Sequence, residues 1–396
     1  MIIKKIRNFC VTFIALAGAC LVMQSCAKES EEDKFDDSNL KRAIVVYAVN
    51  NSSLYSDFKN DSVEIVRAMT GVNLEDFQVL LYKTVSRDET ALYKFADKAG
   101  VRTLEKVKSY AREHTSTDPA VISRVLSDAL AQYPNAAYDL IFWGHGSSWV
   151  PGNSDHNVYG PQRAYGGEYN GNHSSTGVSV TDWVNLDELA DAVPDHRFET
   201  IWFDCCYMGA IEVLYQFRDK CDTFVGYPTE VYSEGMAYHR VLPYLLREKP
   251  DLVSGAEAFF NFYKDQGNRP ATVAVVDMSK LEDVAAAAKA ICSVRNGYPK
   301  ESEMVNYSRM RSCFMADMVT YYDEMAKDAE RPDLSAALKD AFDTMVLYRA
   351  ASPTDFNNRS WDMSKVYSLN CYYYTGTNSS NSDYYKTLDW YNRVMN

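Results

Sequence analysis

Asp139-Leu140-Ile141-Phe142-Trp143-Gly144-His145-Gly146 decides how this chain is read. An apolar run ending in Gly-His-Gly reads as a buried strand that delivers a histidine at its carboxyl end. Further on, Glu199-Thr200-Ile201-Trp202-Phe203 leads into Asp204-Cys205-Cys206 in the same way. If the two runs are neighbouring parallel strands, they end at one edge of one sheet. Open α/β sheets keep their reactive groups there. A cysteine facing a histidine suits nucleophilic hydrolysis: the thiolate attacks, and the imidazole helps form it and protonates the leaving amine.

The segments around this pair fit such a sheet. Residues 42–49 and 77–84 read as further buried strands, with a helical pattern over 61–69 between them. Asp118-Pro119 opens a helix reaching Gln132, because Asp caps and Pro suits a first turn. Its Val121, Val125, Leu126 and Leu130 share one face. Helices are expected over 185–192 and from Cys206 to 217, then a strand over 223–227 and a loop over 230–238. Residues 250–345 read as mainly helical around a strand at 271–276, and 367–374 as a strand. Alternating strands and helices predict an α/β fold, a mostly parallel sheet flanked by helices, with a mixed, largely helical C-terminal extension. The stretch 151–179, rich in Gly, Asn, Ser and Tyr and without periodicity, is too long for a mere connection.

The bulk numbers bound the partners. With 396 residues, a net charge of −13 and no long basic block, nucleic acid and an electrostatic grip on anionic lipid are excluded as functions. Residues 1–25 read as a targeting segment: Lys4, Lys5 and Arg7 precede a mostly apolar run over 9–23 that is short for a bilayer span. It ends at Gln24-Ser25-Cys26, which resembles a bacterial lipobox with Cys26 as the lipidated residue; the alternative is an ordinary secretory signal. Residues 26–39 form an acidic tether too poor in apolar groups to fold. Its acids resemble the surface-export signal of some bacterial lipoproteins, so a lipid-anchored outer-membrane placement is expected, at the cell surface or on the periplasmic face. Beyond Cys26, the six remaining cysteines show neither zinc spacing nor a disulfide framework.

The two motifs together carry a resemblance. The run from Tyr138 to Trp149, with its Trp-Gly-His-Gly-Ser-Ser-Trp core, and Asp204-Cys205-Cys206-Tyr207-Met208-Gly209-Ala210-Ile211-Glu212 resemble the clostripain-like cysteine peptidases, relatives of caspases and gingipains. The resemblance implies a caspase-like peptidase domain over 40–250, followed by an α+β extension over 251–396. It aligns His145 as the catalytic histidine and Cys206 as the nucleophile, with Cys205 in place of the usual alanine. Ser148 replaces a second glycine, and Thr229-Glu230 with Ser233-Glu234-Gly235-Met236-Ala237-Tyr238 departs from the family's next segment.

From these residues the expected chemistry is a cysteine endopeptidase. Cys206, expected at a strand-to-helix turn, gains from a helix N-terminus and from His145. The backbone N–H groups of Gly146 and Cys206 are the candidate oxyanion donors. Asp204 lies two residues before Cys206, so both side chains face one side of the strand. A carboxylate there opposes a thiolate but suits a basic substrate side chain, and the resemblance implies cleavage after Arg or Lys of protein or peptide substrates. Glu234 is a second candidate pocket acid; the alternative for it, as for Glu230, is a solvated loop charge. The resemblance also implies self-processing in the 151–179 loop, where Arg163 is the sole basic residue. Cys205 reads as a packed thiol, the alternatives being a redox partner or the nucleophile in a shifted register. No cofactor is expected: no zinc, EF-hand or phosphate-loop pattern appears, although some relatives depend on calcium. The competing function is a peptidase-like surface lipoprotein of weak or no activity that binds ligands, to which the C-terminal tyrosines would add carbohydrate stacking rather than core packing.

Overall fold

Strand β1 (Arg42–Ala48) is buried at every position, as a central parallel strand covered on both faces must be. Its alternate residues feed two cores: Val45 and Tyr47 enter one, Ile44 and Val46 the other. The computed structural model describes residues 40–86, 88–111, 115–151, 164–169 and 181–396. Around β1 lie β2 (Phe77–Ser86), β3 (Glu89–Lys98), β4 (Val101–Ala111), β5 (Ala137–Trp143), β6 (His145–Gly146), β7 (Tyr165–Tyr169), β8 (Thr181–Val184), β9 (Phe198–Asp204) and β10 (Cys221–Gly226). β11 (Thr272–Asp277), β12 (Met315–Asp317), β13 (Val346–Ala351) and β14 (Asn370–Tyr372) complete the strands.

Nine of these form one sheet in the order β13-β11-β10-β9-β5-β1-β2-β3-β4. Its centre, β10-β9-β5-β1-β2, is parallel, and both flanks are antiparallel. The α/β class expected from the sequence is therefore the fold observed. One face is covered by α1 (Tyr55–Ala68), α5 (Tyr238–Leu245) and α6 (Leu252–Asp265). The other carries α2 (Pro119–Leu130), α3 (Leu186–Ala192), α4 (Ile211–Gln216), α7 (Leu281–Val294), α8 (Met318–Asp328), α9 (Pro332–Met345), α10 (Ser380–Tyr385) and α11 (Asp389–Val394). The start of α2 follows its sequence signal, with the Asp118 carboxylate accepting the Ala120 N–H and Pro119 in the first turn.

The amino ends of the central strands are tied by charge. The Arg42 guanidinium is buried and donates to Asp139 on β5 at 2.8 Å and to Glu199 on β9 at 2.5 Å. Burial still pushes the Asp139 carboxyl up, to about 6. This cluster lies at the edge opposite the site, so it sets strand order rather than chemistry.

Two parts depart from the sequence reading. The stretch between β2 and α2 holds the β3–β4 hairpin, whose outer strand is buried at Tyr110 alone and gives no buried apolar run to read. The part after residue 250 is not set apart from the sheet: β11 pairs with β10 and β13 with β11, and all described residues lie in one compact unit, 37–396. The C-terminal tyrosines pack inward: Tyr372, Tyr374 and Tyr385 are buried, and Trp149 meets Tyr372 and Tyr385 at 4.8 and 5.4 Å between centroids. Among the described residues no helix is long and apolar enough to cross a membrane.

Candidate active site

Register brings the two motifs together. β5 and β9 are adjacent and parallel, and their last rung pairs Trp143 with Asp204. His145 and Cys206 each follow that rung by two residues at the carboxyl ends of the strands. They line one cleft of about 280 Å³, shared with Trp183, Asp204, Glu230 and Val231.

Each side chain is held separately. Cys206 Sγ donates to the Val231 carbonyl at 3.6 Å and accepts the Val231 N–H at 3.4 Å. His145 Nε2 shares a 2.8 Å hydrogen bond with the Ser53 hydroxyl, on the loop after β1, which leaves Nδ1 for the cleft. No hydrogen bond joins sulfur to imidazole. His145 sits on β6, paired with β7, and its ring lies beside Trp183 at 5.9 Å. Gly167, at φ +75°, leaves room for both rings: a Cβ there would lie 2.8 Å from Trp183 and 3.0 Å from the imidazole.

Gly146 is required for a similar reason. A Cβ on it would come within 2.6 Å of the Cys206 carbonyl and 2.8 Å of the Cys205 Cβ. The chain after His145 and the chain at Cys206 thus pass within backbone contact of one another. Strand alternation separates the two cysteines: Cys205 is buried and donates to the Phe142 carbonyl at 3.3 Å, while Cys206 faces the cleft. All six described cysteines are free thiols.

Electrostatics set the resting state. Burial pushes the Cys206 thiol up to about 12, with Glu230 and Asp204 adding to the rise. Burial also lowers the His145 pKa. The pair at rest is a neutral thiol beside a neutral imidazole. The expected help from a helix N-terminus is absent, because α4 begins only at Ile211. Tyr207 (φ +62°) and a turn through Gly209 packed on Tyr227 and Pro228 intervene.

Asp204 forms part of the cleft, as strand alternation from Cys206 requires. Its carboxylate accepts the Met236 N–H at 2.9 and 3.0 Å and the Tyr238 and Tyr227 hydroxyls at 3.2 and 3.3 Å. Burial outweighs these bonds and pushes it up to about 7. Gly235, at φ +51°, passes over it so closely that a Cβ would lie 2.8 Å from Oδ2.

A family model for the clostripain family matches residues 46–394. The chain belongs to the clostripain family. It is a cysteine-type peptidase, acting on protein or peptide substrates. Among solved structures, this clostripain-family chain is similar to a secreted C11 cysteine protease of Bacteroides thetaiotaomicron in complex with an irreversible peptide inhibitor, at 23% identity, 90% of this chain and 99% of that one, TM-score 0.74. It is similar to an inactive zymogen C11 protease of Parabacteroides distasonis at 20% identity with the same coverage and TM-score 0.74. A further secreted C11 protease of B. thetaiotaomicron, iotapain, matches at 19% identity over 90% and 99% of the two chains, TM-score 0.75. At these identities the likeness establishes the fold. None of the curated proteins compared with the chain matches it.

Within this clostripain-family cleft the acids differ from the sequence reading. Glu234 does not line it: its exposed carboxylate is gripped by Arg269 at 2.8 and 3.0 Å and held below its ordinary value, with Arg269 stacked 3.7 Å above the Tyr232 ring. Ser233 and Gly235 on either side of Glu234 line the cleft while Glu234 itself pairs with Arg269, and Glu230 stays in the lining. Ser53 carried no motif and was not legible; the sole signal was its place in a polar turn after a buried strand. Ser148 adopts φ +62°, a conformation that costs glycine nothing. Arg163 and Cys26 lie outside the described residues, as do residues 1–39 as a whole. Glu168 is fully buried and accepts the Ser116 N–H. Among the described residues no group of three His, Cys, Asp or Glu side chains is placed to hold a metal ion.

Proposed function

We propose that this peptidase cleaves after Arg or Lys through a Cys206–His145 dyad. The observation that carries the reading is one cleft lined by a cysteine, a histidine and the buried Asp204 carboxylate, which Met236, Tyr227 and Tyr238 hold from behind the lining. A substrate guanidinium or ammonium beside Asp204 brings the following carbonyl to the sulfur. Because thiol and imidazole start neutral, His145 acts as general base during attack, taking the thiol proton as the C–S bond forms. The N–H groups of Gly146 and Cys206 receive the oxyanion. The imidazolium then protonates the leaving amine as the C–N bond breaks, giving a thioester. Water, deprotonated by His145, hydrolyses it and restores the thiol. Ser53 holds the ring so that Nδ1 serves this shuttle.

The chemistry needs no cofactor, and activity is expected to survive a calcium chelator. Self-processing is proposed in the 151–179 loop at Arg163. Arg163→Ala then stays one chain while the parent yields two fragments; equal cutting of both overturns this. The mature chain is proposed to begin at a lipidated Cys26, followed by the 26–39 tether and the catalytic body, in the outer membrane at the cell surface or periplasmic face. Globomycin-sensitive labelling with a fatty-acid probe tests the anchor, and unlabelled protein rejects it.

The central test is a peptide carrying arginine beside an electrophile. Labelling of the parent and of Cys205→Ala, but not of Cys206→Ala, is expected. Absence of labelling in all three supports the non-catalytic binding protein instead, and loss in Cys205→Ala alone refutes the choice of nucleophile.

A further inference from the structure

Glu230 has no task in the chemistry above, yet it lines the cleft beside the sulfur. Its side chain is mostly buried, and its neighbour Val231 makes both hydrogen bonds to Cys206 Sγ. The cation that meets it comes from far along the chain. Arg309 Nε lies 3.3 Å from Oε2, and Nη1 donates to Oε1 at 3.4 Å. Both separations are long for charge-assisted bonds, and the guanidinium is 45% exposed. A loose ion pair at a half-solvated arginine is worth little and is readily exchanged.

The backbone beneath Arg309 is firmly held by contrast. Arg359 donates to the carbonyls of Ser308 at 3.0 Å and Met310 at 3.1 Å, while its Nε is fixed by Asp355 at 2.5 Å. Asn357 donates to the Arg309 carbonyl itself at 3.3 Å. A clamped turn therefore presents a half-exposed arginine, at long range, to an acid in the cleft. That acid also opposes the Cys206 thiolate, so a cation at this position, internal or from the substrate, favours the attacking sulfur.

We propose that Glu230 is a second specificity determinant, binding a basic side chain of the substrate close to the one read by Asp204, and that Arg309 occupies its carboxylate until such a substrate arrives. The proposal rests on the assignment of Asp204 to the cleavage-site residue. It makes the enzyme selective for paired basic residues, since a substrate guanidinium takes the place of a like one and enters a cleft with less water around it.

The test uses quenched peptides with arginine at the cleavage position and either arginine or glutamine at each flanking position in turn. For one flanking position, a second arginine is expected to raise kcat/KM of the parent up to about fivefold, mainly through KM, the worth of one partly solvated charge pair. Glu230→Gln is expected to abolish that ratio. Arg309→Ala is expected to lower KM for the dibasic peptide several-fold by removing the internal competitor, and to add nothing once Glu230 is Gln. An unchanged ratio in Glu230→Gln, no dibasic preference in the parent, or a higher dibasic KM in Arg309→Ala overturns the proposal. Failure of the Asp204 assignment shows separately, as parent cleavage after uncharged residues. In that case a second-arginine preference lost in Glu230→Gln still upholds Glu230, and its absence refutes it.

Discussion

Acidification from about pH 8 to about pH 6 is expected to remove most activity on arginyl substrates by neutralising Asp204. Burial pushes this carboxyl up to about 7 against the pull of the Met236 N–H and two tyrosine hydroxyls. The anion binds the substrate cation and the protonated acid does not. The ionised fraction falls from roughly nine tenths to roughly one tenth over that interval. Because kcat/KM reports the free enzyme, it should fall about tenfold from this cause alone. His145 also titrates, below its ordinary value because it is partly buried, but it affects every substrate alike. The assay is therefore a ratio: kcat/KM for a peptide with arginine at the cleavage position over one with citrulline, a neutral isostere, measured across the interval. The ratio should rise with pH with a midpoint near 7. Asp204→Asn should flatten it and cost about 2–5 kcal/mol on the arginyl peptide, at least about thirtyfold in kcat/KM. A ratio independent of pH in the parent, or one that still titrates in Asp204→Asn, refutes the assignment.

Three further perturbations probe the same rim. Gly146→Ala places a Cβ 2.6 Å from the Cys206 carbonyl and should lower kcat about a hundredfold by displacing an oxyanion donor; steady-state kinetics within threefold of the parent would contradict that role. Ser53→Ala should lower kcat about tenfold with little change in KM and shift the acid limb of the kcat–pH profile, Ser53→Thr restoring both; an unmoved profile would make the hydrogen bond merely structural. Asp61, whose carboxylate accepts the Trp143 indole N–H at 2.8 Å, is pushed up by burial to about 9. Its folded pKa lies above the ordinary carboxylate value, so the folded chain keeps a proton the unfolded chain releases, and stability drains away as pH rises from about 4 to about 9. Asp61→Asn should therefore melt higher than the parent by a margin that grows with pH over that range, as read by thermal denaturation; a constant margin would contradict the shift.

Sequence alone determined what depends on local periodicity and on the chemistry of single residues. The apolar runs of β1, β5 and β9 announced buried strands because a strand covered on both faces admits few polar side chains. Two-residue alternation placed Asp204 and Cys206 on one side and Cys205 on the other. The Gly-His-Gly and Asp-Cys-Cys ends marked the rim before any strand order was known. Tertiary structure alone decided which other loops reach that rim. Ser53 meets His145 because β1 lies beside β5, and Arg309 meets Glu230 through a turn clamped by a distant arginine. Glu230 rather than Glu234 lines the cleft, Glu234 being held outside it by Arg269 from a distant part of the chain. The delayed start of α4 hangs on Gly209 packing against Tyr227 and Pro228. Such contacts join residues remote in the chain, and the order of strands that creates them is fixed by packing across the whole sheet, which leaves no trace in the spacing of neighbouring residues.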